Sequence, residues 1–310
     1  MTGRRRIDTH QHIVPDYYVE WLSGHGLGTI GDRPQPGWTE GSALEFMDAM
    51  DIETAVLSLA TPNVYVGPAE ERLLMARRVN DTVADLARER QDRFGNFASL
   101  PLPDLNASMH EAERAIDELG ADGIIVLSHV DGTYISDPSF EPILELLDDR
   151  SSVLFVHPNI PPFDPMPGVN PGAADFLLET VRAAIGLSIA DVPGRFPNLS
   201  IILSHGGGFM PFAAERFAAV CGGGDTELGL ARLKSFYVDT ALSSGRASLD
   251  AIRSFVDPER ILFGSDWPWA PLARAGRFTE LLDGYGLPAA EDAAIARRNA
   301  ERLMPRLARG

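Results

Sequence analysis

Read from its first residue, the chain alternates short runs of branched and aromatic apolar residues with longer stretches whose apolar positions recur every three or four residues. The short runs are bounded by polar or turn-forming residues. They predict strands at residues 5–9, 54–59, 94–100, 123–128, 153–157, 199–204, 236–240 and 260–264. The stretches between them predict helices, and several carry readable ends. Ser42 with Glu45 three residues later predicts a capping box that opens a helix running through Met50. Asp137-Pro138 predicts a cap and a first-turn proline ahead of Phe140, Ile143, Leu144 and Leu147, which share one helical face. Gly120 predicts the stop of a helix that begins near Asn106.

Strands separated by helices call for right-handed crossovers and a parallel sheet. Eight such units predict a single (β/α)₈ barrel, a fold that usually takes about 250 residues and more with insertions. A doubly wound open sheet is the alternative. It would be favoured by a glycine-rich phosphate loop after the first strand, and His10-Gln11-His12 stands there instead. No internal repeat or linker divides the chain, so one domain is predicted over residues 1–310. Residues 23–41, rich in Gly and Pro, predict a long loop after the first strand. Residues 158–171, with six prolines, predict another after the fifth. Long loops at strand ends are where barrel enzymes build their sites.

Composition removes several functional classes. With 310 residues, 45% of them hydrophobic, the chain can bury a large core. A net charge of -17 argues against nucleic acid, which needs clustered Lys and Arg. The lone Cys221 has no partner for an intramolecular disulfide, which fits a reducing compartment. Met1-Thr2-Gly3-Arg4-Arg5-Arg6 leads into too few apolar residues for a signal peptide, and no window approaches a membrane span. A soluble, cytoplasmic protein is expected. Lys234, the sole lysine, sits in what reads as the exposed end of a helix, a poor setting for a Schiff-base or carbamylated lysine.

Candidate chemistry gathers at strand ends. His10 and His12 stand two residues apart at the end of the first strand, so both imidazoles face the same way. His157 closes the fifth strand, His205 the sixth, and Asp266 the eighth. A single histidine after an apolar strand is ordinarily a hydrogen-bonded structural residue, and a single aspartate ordinarily caps a helix. The five together are a different matter. Imidazoles with a carboxylate make the donor set that Zn, Mn or Fe prefers, with a position left for water or substrate. Such a metal can activate water for hydrolysis or polarise a substrate oxygen for carbon–carbon cleavage. The residues alone leave those two readings even.

His10-x-His12, His157, His205 in Ser-His-Gly-Gly-Gly and Asp266 in Phe-Gly-Ser-Asp-x-Pro resemble the amidohydrolase superfamily. The chain is most similar to the branch that contains aminocarboxymuconate-semialdehyde decarboxylase and the hydroxybenzoate decarboxylases. Pro101-Leu102-Pro103-Asp104 and the run from Arg260 to Asp266 are similar to 6-methylsalicylate decarboxylase-like members. The resemblance implies that His10, His12, His157 and Asp266 ligate one divalent ion, Zn first and Mn as the alternative. It implies that His205 faces the substrate, with Asp266 or His205 as the proton donor. Val126-Leu127-Ser128-His129 occupies the place of the bridging lysine of two-metal relatives, so one ion is implied. It further implies a carboxy-lyase acting on a small aromatic or conjugated carboxylic acid. Hydrolysis of a lactone, ester or amide is the alternative, and a non-catalytic barrel a third. A homodimer or larger homo-oligomer is implied as well.

Aromatic side chains near strand ends offer walls for a planar ligand: Trp38, Tyr65, Phe163, Phe209, Trp267 and Trp269. An anionic substrate also needs a cation, for which Arg33 and Arg246 are the candidates. Asp8 lies two residues before His10 and either orients a ligand imidazole or belongs to the barrel floor. His129 either lines the pocket or is a hydrogen-bonded structural residue.

Overall fold

The computed structural model describes residues 4–30, 33–164 and 167–308. Parts of the N-terminal segment and of both long loops therefore lie outside the described residues. Eight strands pair in chain order through one parallel sheet: β1 (Arg6–His12), β2 (Ile52–Ser58), β3 (Phe94–Ser99), β4 (Gly123–Leu127), β5 (Val153–His157), β6 (Ser200–Leu203), β7 (Tyr237–Asp239) and β8 (Ile261–Leu262). The sheet curls until its first and last strands meet. Thr9 N donates to Phe263 O, Asp266 N to His10 O and His12 N to Trp267 O, at 2.9, 2.8 and 2.7 Å. The predicted (β/α)₈ barrel is what forms.

Two apolar layers hold it. Ile7, Val56, Phe97, Ile125, Phe155, Ile202 and Leu262 meet inside the barrel, closed below by Ala300, Met304 and Leu307. A larger cluster packs the outer face of the sheet against the surrounding helices. Burial on both faces explains why these strands read as continuous apolar runs rather than alternating ones.

Helix ends mostly follow local signals. Asp137 caps a short turn, Pro138–Phe140, leading into Glu141–Asp149 with Ile143, Leu144 and Leu147 buried. The helix from Leu105 runs on through Glu118, and Gly120 follows at φ +68°. The capping box lies three residues upstream of the predicted one. Thr39 Oγ1 accepts from Ser42 N while Thr39 N donates to Ser42 Oγ, so the helix is Glu40–Ala49. Ser42 is the inner member of that box rather than its cap. Residues 23–41 are not wholly irregular either, since the helix Asp16–Gly24 ends inside them and Thr29–Ile30 pairs with Arg33–Pro34. No helix among the described residues is long and apolar enough to cross a membrane.

Candidate metal centre

Five side chains converge at the C-terminal rim. His10, His157, His205 and Asp266 each place a donor atom within 4.8 Å of the others. His12 joins them, with Nε2 3.1 Å from His10 Nε2 and 3.3 Å from Asp266 Oδ1. His10 Nε2 is 3.4 Å from Asp266 Oδ1, and His205 Nε2 is 3.6 Å from Asp266 Oδ2. Phe155, inside the barrel, supports His10 edge-on with ring centroids 4.9 Å apart.

Hydrogen bonds on the far side of each ring set its tautomer. His10 Nδ1 meets Asp239 Oδ2 at 2.8 Å, His12 Nδ1 meets Ser58 O at 3.2 Å, and His157 Nδ1 meets Pro158 O at 2.9 Å. Each partner is an acceptor, so each Nδ1 carries its proton, and on the neutral ring each Nε2 is left with a lone pair. With both rings neutral, as metal ligation requires, the lone pairs of His10 and His12 confront one another at 3.1 Å, an arrangement that calls for positive charge between them, a metal ion or, in its place, a proton on His10. Donors about 2.0–2.1 Å from a shared ion lie roughly 2.9–3.4 Å apart, the spacing found among His10, His12 and Asp266. The donor set fits a divalent metal. His205 differs: its Nδ1 is buried with no partner.

The electrostatics agree with that fit. Burial drives His12 down and His157 well down, the latter reinforced by its imidazole neighbours, so both stay neutral. Burial also opposes charge on His10, but the Asp239 and Asp266 carboxylates outweigh it and hold the ring up at about 10 without metal. Burial opposes charge on Asp266 as well, yet the His10, His12 and His205 imidazoles around it, the charged His10 among them, keep it well below the usual carboxylate range. An ionised carboxylate thus sits among imidazoles.

Backbone shape aims two of these groups. His205 and Asp266 both adopt left-handed conformations, φ 54° and 63°, rare for residues with a side chain. Asp239 fixes the first. Its Oδ1 accepts from His205 N at 3.0 Å and Ala241 N at 2.9 Å, while its Oδ2 holds His10. Asp239 was not singled out in the sequence, although it ends the seventh strand as the other site residues end theirs.

A cavity of about 310 Å³ opens onto His157, His205 and Asp266. Phe176, Leu177, Leu242 and Trp269 supply apolar walls, Thr61 and Ser243 polar ones, and Arg33 and Arg274 the positive charge. Arg33 Nη2 donates to Trp269 O at 2.8 Å. Of the residues expected as walls, Arg33 and Trp269 line this cavity, whereas Trp38, Phe163 and Trp267 do not. Trp38 is half-buried against the outer core. Phe163 is 41% exposed beneath the Arg182 guanidinium. Trp267 stacks on Phe46 with centroids 5.2 Å apart, because the turn at Asp266 sends successive side chains in different directions. Tyr65 is buried, Phe209 packs on Phe217, and neither lines the cavity. Arg246 lies outside it over Tyr285.

Asp8 and His129 serve the frame. Asp8 accepts from His10 N, Gln11 Nε2, Ser265 N and Ser265 Oγ at 3.1, 3.1, 3.0 and 2.5 Å, tying β1 to the segment after β8. His129 Nδ1 accepts from Gly132 N and Nε2 faces Ile160 O at 3.0 Å, away from the cavity lining.

A metal-binding barrel with this rim is the arrangement of an amidohydrolase, and the chain belongs to that family, whose model matches residues 7–306. It is 34% identical over 328 residues to decarboxylase yanB of Aspergillus niger, covering 97% of this chain and 88% of that protein. It is 32% identical to the 6-methylsalicylic acid decarboxylase of Penicillium expansum, covering 97% of each. Among solved structures, an amidohydrolase II superposes with a TM-score of 0.92 at 29% identity, covering 97% of this chain and 99% of that one. A 2,6-dihydroxybenzoate decarboxylase holding 2,6-dihydroxybenzoate gives 0.78 at 25% identity, with 98% and 100% covered. A dihydroxybenzoic acid decarboxylase of Polaromonas with bound manganese gives 0.77 at 23%, with 98% and 97% covered, a likeness of fold.

Proposed function

We propose that this chain is a metal-dependent carboxy-lyase that removes CO₂ from a small aromatic or conjugated carboxylic acid of the hydroxybenzoate or 6-methylsalicylate type. The observation that carries this is the division among the imidazoles. Three have Nδ1 committed to an acceptor and Nε2 free to ligate, whereas His205 has no such commitment. That division supports His10, His12, His157 and Asp266 as ligands and His205 as the group that handles a proton. The similarity to 6-methylsalicylic acid decarboxylase supports the reaction class.

A bound divalent cation would supply positive charge to hold substrate oxygens and to stabilise negative charge as the reaction proceeds. The chain does the rest. Phe176, Leu177 and Trp269 grip a planar ring and exclude water, and Arg33 and Arg274 favour an anion. Between them, His205 Nε2 and Asp266 Oδ2 can hold one proton, which passes to the ring carbon bearing the carboxylate. The electron pair of the carbon–carbon bond then returns to the ring as CO₂ leaves. One carboxylate and one proton become one arene and one CO₂.

Three nitrogens and one oxygen suit zinc, and manganese in the Polaromonas relative makes Mn the alternative. The same reading places the enzyme in one barrel domain over 1–310, in the reducing cytoplasm that the buried, unpaired Cys221 suits. It includes a homodimer or larger assembly, for which exposed Phe212, Val220 and Leu228 offer apolar surface. The deciding experiment is CO₂ release by Zn- and Mn-loaded protein from hydroxybenzoic and methylsalicylic acids, with His10→Ala as the blank. His157→Ala is expected to lose bound metal, and His205→Ala to keep it while turnover falls by about 10²–10⁴. Turnover of lactones or esters without CO₂ would replace this reading with hydrolysis.

A further inference from the structure

Thr61 lines the cavity, and its hydroxyl proton is already spoken for. The reason lies in a chain of hydrogen bonds behind the wall. Glu179, wholly buried on the helix Asp175–Ile189, accepts from Ser128 Oγ at 3.1 Å and from Tyr134 Oη at 2.9 Å. Ser128 Oγ has then given its proton away, and it accepts from Asn159 N at 3.1 Å. Asn159 is thereby fixed in place, and its amide can point only one way. Nδ2 must donate to His129 O at 3.1 Å, so Oδ1 is the atom that accepts from Ile160 N at 2.8 Å. Thr61 Oγ1 lies 2.6 Å from that same Oδ1. A carbonyl oxygen cannot donate, so the Thr61 hydroxyl does.

We infer that Thr61 is a specificity-determining residue which offers the cavity an acceptor and no donor. The substrate group that meets it must therefore carry a hydrogen-bond donor, such as a phenolic hydroxyl. A carboxylate, carbonyl or ether oxygen there would set lone pair against lone pair. The cavity's cations stand elsewhere, on Arg33 and Arg274, so the wall carries distinct places for an anion and for a donor. A site built to pair with a hydroxyl rejects the analogue that lacks its proton far more strongly than an apolar wall does. This rests on the proposed action on hydroxylated aromatic acids and narrows it: a ring hydroxyl is read by Thr61 as a donor.

The test compares 2-hydroxybenzoates carrying a further hydroxyl at each ring position with the methyl ethers at the same positions. Binding to metal-loaded protein is read by tryptophan fluorescence, which needs no turnover, so absence of CO₂ release would sink the reaction reading and leave this one open to judgement. At one position at least, the native protein is expected to favour hydroxyl over methoxyl by about 10-fold or more. Thr61→Val keeps the shape and removes the acceptor, and the preference should shrink to about 2-fold with metal content unchanged. Thr61→Ser should keep it. Equal binding of every phenol–ether pair by the native protein, or an undiminished preference in Thr61→Val, overturns the inference.

Discussion

The charge of Asp239 matters less than the direction in which it points protons. Its carboxylate accepts from one imidazole and two backbone amides and donates nothing. An asparagine could keep the two amide bonds through its oxygen, but its NH₂ would then face His10 Nδ1 and demand the opposite tautomer. His10 Nε2 would carry the proton and lose its lone pair. Asp239→Asn should therefore weaken metal binding by about 10–100-fold in chelator competition, with little loss of thermal stability. Unchanged affinity would show that His10 is oriented by something else. This carboxylate was illegible in the sequence for a physical reason: one aspartate at a strand end looks like any other until the fold brings it against a ring 229 positions away. The five rim residues were legible because histidines are few and four of the seven stand at strand ends.

Between β6 and the helix Met210–Cys221, the chain turns through His205, Gly206, Gly207 and Gly208, all at positive φ. At Gly208 the requirement is steric as well, since a Cβ would lie 2.4 Å from Leu177 O. Leu177 is cavity wall, so this turn presses on the substrate site from behind. Gly208→Ala should cost about 1–3 kcal/mol, lower the melting temperature by several degrees and raise KM through displacement of that wall. A variant with native Tm and KM would mean that the contact relaxes freely. At this scale the sequence placed the eight barrel strands and the helix stop at Gly120, because apolar runs and glycine signals are local, but not the short pair Thr29–Ile30 and Arg33–Pro34. That Trp267 and Phe163 lie off the cavity wall could not be read for the opposite reason. Which way a loop aromatic faces depends on the turn before it and on neighbours from other loops. The capping box moved to Thr39 because a serine can fill the inner position as well as the outer.

Taken as one charged body, the molecule works against its own substrate. It carries -17, and the anion proposed for its cavity must approach through that field before it meets Arg33 and Arg274. Salt screens such repulsion over about 10 Å at 0.1 M. Raising ionic strength from about 10 to 150 mM should therefore raise kcat/KM for the anionic substrate by about 2-fold while kcat stays flat. A fall instead would mean that the two arginines, rather than the whole surface, govern encounter. The distribution of positive charge has one more effect. Lys234 is the sole lysine, and it stands exposed at the end of the helix Thr226–Lys234, just ahead of β7. That is the end of the barrel opposite the catalytic rim. Of all the side chains, an amine-directed reagent would find this one alone, so the enzyme could be tethered to a surface there with its mouth facing outward.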